Sequence, residues 1–344
     1  MVVKSDIDIV VRRAAFRNRL REDPAGEPLR APPLALTAGA PAANNDTCIA
    51  RVAGRWPTTR QVRASSWHKT KKVMATEDFN LSGRVALVSG AASGMGKAMS
   101  LALAEYGADL MLADRDGEGL ERTAEEIGRM GRRAAAVRCD VSQPEQIRSL
   151  FARLDREFGQ IDFLGNVAGD SIMGKPEEFS LDDLQAVLQN LVIGRFCMCQ
   201  EAGRRMLARG RGSIVNIGSL ASVTALGRGH IAYSMAMGAV AQMTRELSTE
   251  WAGSGVRVNA ILPAQVMNAG LQERMQADPA LRTTWLRGIP AGRFGRPDDI
   301  RGLAVLLAAD ASSWITGALI PMDGGNLALN GGGSVRAPVK EAQP

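Results

Sequence analysis

From residue 84 onward, short apolar runs alternate with longer stretches whose apolar residues recur at helical spacing. The strand-like runs are RVALVSG (84–90), DLMLAD (109–114), AAAVRCD (134–140), IDFLGNVAG (161–169), GSIVNIGS (212–219), VRVNAILP (256–263) and ALIPMDGG (318–325). Helical patterns lie between them, among them GKAMSLALAEYG, the long SLDDLQAVLQNLVIGRFCMCQEAGRRMLARG, and a stretch from His230 to Ala252. Such alternation predicts βαβ units and a parallel sheet covered by helices on both faces. Right-handed crossovers then give a single-domain α/β fold, a doubly wound Rossmann fold with a parallel seven-stranded sheet.

The ends of the chain lack this pattern. Residues 1–78 are rich in Ala and Pro with scattered arginines, and we expect a disordered, basic N-terminal extension there. Met74 opens MATEDFNLSGRVALVSG in the manner of a natural start, so the native chain is expected to begin at that residue. Residues 79–330 form the expected folded domain, and 331–344 a flexible tail. There is no secretory h-region, and Asp6, Asp8, Glu22 and Asp23 argue against a transit peptide.

Charge and composition narrow the function. The net charge is +6 over 344 residues, but residues 1–73 carry 14 Lys/Arg against 6 Asp/Glu, whereas the remainder carries 28 against 30. The folded part therefore has no nucleic-acid-like charge. No apolar run reaches the roughly 18 residues of a membrane helix. Four cysteines (Cys48, Cys139, Cys197, Cys199) and two histidines (His68, His230) offer no zinc spacing, so no metal is expected. Buried free thiols suit a reducing, cytoplasmic location.

Candidate chemistry begins where the first strand runs into SGAASGMGKAMS. Gly90, Gly94 and Gly96 stand between a strand and a helix, where glycine lets a phosphate approach the backbone and the helix N-terminus offers free N–H groups. A P-loop fits poorly, because its first glycine would fall on Ala91 and its Ser/Thr on Ala98. Asp114 closes the second strand, placed to accept hydrogen bonds from an adenosine ribose and to repel a 2′-phosphate. This favours NAD over NADP, although Arg115 follows directly.

The spacing Gly90-x-x-x-Gly94-x-Gly96 resembles that of the short-chain dehydrogenase/reductase family, and further motifs agree in order over roughly residues 80–327. CDV (139–141) looks like its adenine-contacting segment. NVAG (166–169) resembles its Asn-Asn-Ala-Gly motif. LPAQVMN resembles its Pro-Gly-x-Val-x-Thr nicotinamide segment, with Ala264 for Gly and Asn268 for Thr. Within the family the chain looks most like gluconate 5-dehydrogenase-like, polyol and 3-oxoacyl-acyl-carrier-protein reductase-like members. The resemblance implies cofactor contacts from Gly90, Ser93, Gly94, Met95 and Gly96; from Asp114 and Arg115; from Asp140 and Val141; from Asn166, Ala168 and Gly169; and from Tyr233, Pro263 and Val266. It also implies hydride transfer between a nicotinamide and a small alcohol or carbonyl compound, with Ser219 binding the substrate oxygen, Tyr233 exchanging its proton and Asn190 holding a water.

One departure stands out. The family keeps a lysine four residues after the tyrosine, where its ammonium binds the nicotinamide ribose and favours phenolate. Here that position is Met237, which can do neither. The expectation is a weakened NAD-dependent oxidoreductase that interconverts a secondary alcohol and a ketone, with turnover raised by Met237→Lys. The alternative is an inactive NAD-binding protein acting as a sensor or a silent subunit. The substrate is expected against residues 170–175, the loop after Ser219, and segment 265–290 with Gln265, Asn268, Arg274, Arg282 and Arg287. His230 is placed to face the same pocket. That content permits a sugar-acid, polyol or hydroxy-acid substrate. The resemblance further implies a homo-dimer or homo-tetramer, paired through the helices that carry Asn190 and Tyr233.

Overall fold

The computed structural model describes residues 77–329. Most of the extension expected over 1–78, with Cys48, His68 and Met74, lies outside the described residues, as does the tail at 331–344. Seven parallel strands are present: β1 (Val85–Ser89), β2 (Asp109–Asp114), β3 (Ala134–Arg138), β4 (Phe163–Asn166), β5 (Gly212–Ile217), β6 (Val256–Pro263) and β7 (Leu319–Met322). Their order is β3-β2-β1-β4-β5-β6-β7, the doubly wound arrangement that the alternation predicts. Register runs from Val85 opposite Asp109 to Pro263 opposite Met322.

The helices are α1 (Gly94–Glu105), α2 (Gly117–Arg129), α3 (Pro144–Glu157), α4 (Leu181–Leu188), α5 (Arg195–Arg209), α6 (Ile231–Trp251), α7 (Ala269–Ala277), α8 (Ala280–Leu286), α9 (Arg301–Ala308) and α10 (Asn326–Leu329). Successive β1 side chains face opposite ways. Ala86 and Val88 pack with Met99 and Leu103 of α1, Leu120 of α2 and Ala304 of α9. Leu87 packs on the other face with Phe151 of α3 and Met198 of α5. Each fully buried Leu or Phe of this kind contributes about 1.5–3 kcal/mol.

Two differences from the sequence pattern matter for function. Several strands are shorter than the apolar runs: β4 ends at Asn166 and β7 at Met322. The residues beyond their carboxyl ends leave the ladder as loops, where ligands of open α/β sheets bind. Second, the long helical pattern at 180–210 is broken. Between α4 and α5, Gln189–Gly194 is π-helical. The wider turn brings the backbone close to the loop after β3. A Cβ at Gly194 would stand 2.0 Å from the Val141 carbonyl oxygen, so only glycine fits there. Single π-helical turns of this kind often mark functional sites.

Candidate active site

Most of the candidate residues line two adjoining clefts beyond the carboxyl ends of the strands, where the strand order reverses. On the nucleotide side, Gly90, Ser93, Met95 and Gly96 line a cleft of about 390 Å³. Asp114 and Arg115 line it at the end of β2, Cys139, Asp140 and Val141 after β3, and Ala168 and Gly169 after β4. Gly94 opens α1 but does not line it. The Ser93 side chain makes no cap bond to α1, in contrast to Asp116 and Ser180, which cap α2 and α4. The first N–H groups of α1 are therefore left for an anion. Close approach is built in, since a Cβ at Gly96 would stand 2.0 Å from the Gly90 carbonyl oxygen.

Asp114 is held rigidly, accepting from the backbone N–H of Ala92 and of Asp116, each at 3.1 Å. Arg115 reaches across the cleft mouth to Asp170 at 3.5 Å, with both side chains exposed. Ser89 supports the opposite lip: its hydroxyl accepts from the N–H groups of Val167 (3.1 Å) and Ala168 (3.2 Å). A glycine-shaped cradle, an uncapped helix start and a fixed carboxylate in one cleft fit a dinucleotide.

That cleft runs on, through the shared residues Met95, Val167, Gly169, Asp170 and Asn268, into a second of about 560 Å³. Here Ser219, Tyr233, Pro263 and Val266 meet. Ser219 caps the short 3-10 turn Leu220–Ser222, its hydroxyl accepting from the Ala221 N–H at 3.2 Å. Tyr233 lies in the first turn of α6, half-buried, its ring edge-on to His230 at 6.2 Å. His230 lines the cleft and bonds the Gly227 carbonyl at 2.7 Å. Asn190, in the π-helical segment, lines the nucleotide cleft and accepts from the Asp170 N–H at 2.9 Å.

Of the segment expected to carry the substrate pocket, Gln265, Asn268 and Arg274 line this cleft, together with Asp170, Ser171 and Met173. Arg282 and Arg287 are exposed and do not line it. Trp285 lies between two cationic neighbours, Arg228 at 5.6 Å and Arg274 at 5.9 Å from its ring. Arg228 holds a left-handed backbone (φ 53) that a non-glycine residue rarely adopts.

One expectation needs correction. Asn166 does not reach the cofactor cleft. It ends β4 with its side chain turned into the protein, donating to Asn216 at 3.0 Å and to the Cys199 sulfur at 3.3 Å. The alternation of strand side chains directs it there. Met237 is 1% exposed, in a cluster with Val187, Leu191, Ala221, Ala236 and Val240 against which Tyr233 itself packs. A site residue that the motifs did not supply is Arg195, which lines the cleft from the start of α5. Its one signal in the sequence is a charge inside the apolar run LVIGRFCMC.

The three described cysteines are buried and free. Burial pushes the thiol of Cys139 up to about 11 and that of Cys199 up to about 12, which keeps both protonated. Among the described residues, no cluster of three or more His, Cys, Asp or Glu could hold a metal, and no helix is long and apolar enough to cross a membrane.

Known proteins share this layout. A family model described as enoyl-(acyl carrier protein) reductase matches residues 90–326. The chain is 41% identical over 253 residues to a D-threitol dehydrogenase of Mycolicibacterium smegmatis, covering 72% of this chain and 94% of that protein. It is 37% identical over 249 residues to an NAD-dependent glycerol dehydrogenase of Listeria innocua, covering 72% and 96%. Among solved structures, a gluconate 5-dehydrogenase of Burkholderia cenocepacia, in complex with NADP and tartrate, superposes with a TM-score of 0.70 at 31% identity, covering 74% of this chain and 99% of that one.

Proposed function

The chain belongs to the short-chain dehydrogenase/reductase family, and on that premise we propose that it is an NAD(H)-preferring oxidoreductase that interconverts a secondary alcohol and a ketone on a polyol or sugar acid. The observation that carries this reading is the meeting of Ser219 and Tyr233 in one cleft that continues into the glycine-lined one. When bound, the nicotinamide supplies the hydride acceptor or donor. Ser219 donates a hydrogen bond to the substrate oxygen. Tyr233 gives that oxygen a proton in reduction and takes it in oxidation. Asn190, pinned by Asp170, holds water between the two clefts.

Substrate class follows from what lines the pocket and from the relatives. Ser171, Gln265 and Asn268 offer hydrogen bonds to hydroxyl groups. Arg228 and Arg274 line the same cleft and suit a carboxylate. The relatives named for threitol and glycerol, and the solved relative that holds tartrate, support a short polyhydroxylated compound. NAD is favoured through the Asp114 carboxylate; the NADP held by three solved relatives makes Arg115 the residue to watch. The exposed apolar side chains of Ile193, Phe196, Ile231 and Met235, on the two helices that flank the site, support pairing as a homo-dimer or homo-tetramer.

The test is a panel of four- to six-carbon polyols and aldonates with NAD and NADP, run in both directions across neutral to alkaline pH. Turnover with NAD on at least one such compound is expected. A second reading, a cofactor-binding protein without turnover, is favoured by the absence of an ammonium at 237. NADH binding with no reaction across the panel would select it.

A further inference from the structure

Two arginines of the substrate cleft meet on one aromatic ring. The Arg228 guanidinium lies over Trp285 at 5.6 Å from the ring centre, and that of Arg274 at 5.9 Å. Arg228 comes from the loop before α6, Arg274 from α7 and Trp285 from α8, and all three line the cleft. Trp285 is fixed in place, 8% exposed and clustered with Leu271, Ile289 and Phe294. Among the described residues, the Arg228 side chain makes no hydrogen bond or ion pair. Arg274 donates through Nε to the Gly270 carbonyl at 3.3 Å and through Nη1 to the Met173 sulfur, a weak acceptor, at 3.5 Å. No carboxylate among the described residues pairs with it either. A guanidinium set over a ring keeps its in-plane fork of N–H groups for a planar anion.

The backbone shows that this placement has a cost. Gly227, Arg228 and Gly229 are three successive left-handed residues, with φ of 66, 53 and 76. Their turn is pinned: the Gly174 N–H donates to the Gly229 carbonyl at 3.0 Å, and the His230 ring bonds the Gly227 carbonyl. Glycine would take the middle position freely, whereas arginine is strained there, and such strain collects at ligand clamps.

Charge and unmet polar groups point the same way. Three guanidinium groups line the cleft, those of Arg195, Arg228 and Arg274, against the single carboxylate of Asp170, which stands 3.5 Å from Arg115. The cleft is thus positive and draws anions. Four buried side-chain polar atoms lack a partner among the described residues, and three belong to residues that line this cleft: Arg195 Nε, Gln265 Oε1 and Trp285 Nε1. Folded proteins leave few such atoms, so their gathering here marks a cleft that a polar ligand completes.

We propose that Arg228 and Arg274, set on the Trp285 ring, form a carboxylate subsite through which the chain selects sugar acids over neutral polyols of the same length. The idea rests on the reading of this cleft as the substrate site and narrows its substrate class. The two arginines hold the carboxylate end while Ser219 and Tyr233 face the carbon to be oxidised. Arginines that merely staple α7 and α8 to the loop before α6 would affect acids and polyols alike.

Binding can be read without turnover in the complex with NADH, because an alcohol and the reduced cofactor cannot react. The probes are matched pairs, threonate with threitol and gluconate with glucitol, in which a carboxylate replaces a terminal CH2OH. Calorimetry on the full chain should find the acid of at least one pair bound about tenfold or more tightly than its polyol. Arg228→Gln and Arg274→Gln should each shrink that ratio about three- to tenfold, and together they should abolish it. If a variant does not fold, salt gives the second reading on the unaltered chain: acid affinity should fall with rising ionic strength while polyol affinity holds. Equal affinities in both pairs, binding of none of the four compounds, a preference that survives the double substitution, or one that ignores salt overturns the proposal. The two ideas fail separately. Acid preference in binding with no turnover of any compound would sink the enzymatic reading alone, whereas turnover of polyols without preference for acids would sink only this inference.

Discussion

The nucleotide wall of the cleft, from Gly90 to Val141, is shaped by glycines and carries the charges of Asp114, Arg115 and Asp140; the facing wall carries the side chains of Asn190, Arg195, Ser219 and Tyr233. The first depends on close approach, seen in the 2.0 Å that would separate a Gly96 Cβ from the Gly90 carbonyl. Close approach fixes which positions are glycine, so that wall has little freedom to drift. The second depends on where charged and hydroxyl groups end up in space. Any helix that reaches the spot can deliver them. Met237 packs in an apolar cluster while Arg195 brings a cation to the cleft from the next helix.

This contrast can be broken or sharpened by substitution. The largest expected effect is Tyr233→Phe, which should lower kcat by about a hundred- to ten-thousandfold. Calorimetry should find NAD(H) affinity in that variant within about twofold of the parent, because the nucleotide wall is intact. Asp114→Ser works on the other wall. Losing hydrogen bonds from a charged acceptor, worth about 1.5–3 kcal/mol, should weaken NAD binding roughly ten- to a hundredfold and narrow the preference over NADP. Gly96→Ala should weaken both cofactors at least about tenfold, measured by fluorescence titration, since the added methyl must displace the loop. Met237→Leu should be the mildest: turnover within about twofold and stability within about 1.5 kcal/mol, as for a volume-conserving core swap. A large loss of turnover in Met237→Leu would return residue 237 to the chemistry.

The same contrast governs how much could be read from sequence. Strands β2 and β6 match their apolar runs residue for residue, and the glycine loop falls where its spacing places it. Ser219 and Tyr233 meet in one cleft although they are 14 positions apart in sequence. Asn166 was misplaced because a motif position does not say which way a strand-end side chain turns; here Asn216 and Cys199 hold it inside. Arg195 was not singled out because a lone charge inside an apolar helical run does not say which cleft it reaches, and the π-helical turn at Gln189–Gly194 just before it leaves no mark in apolar spacing.

The structure also changes what Met237→Lys should do. An ammonium at 237 would enter an apolar cluster beside a cleft that already holds a buried guanidinium. We therefore expect lower stability and no gain in turnover, the reverse of what the motif alone suggests.

The central claim is that this wall performs proton transfer with a methionine at 237. Its most direct test is a single-turnover measurement of NADH formation, with the best polyol or aldonate substrate and enzyme in excess. The account predicts a rapid burst with the unaltered chain and, in Tyr233→Phe, a burst slowed at least about a hundredfold at full cofactor occupancy. Equal rates in the two proteins, or no NADH formed by an unaltered chain saturated with NAD and substrate, would contradict it.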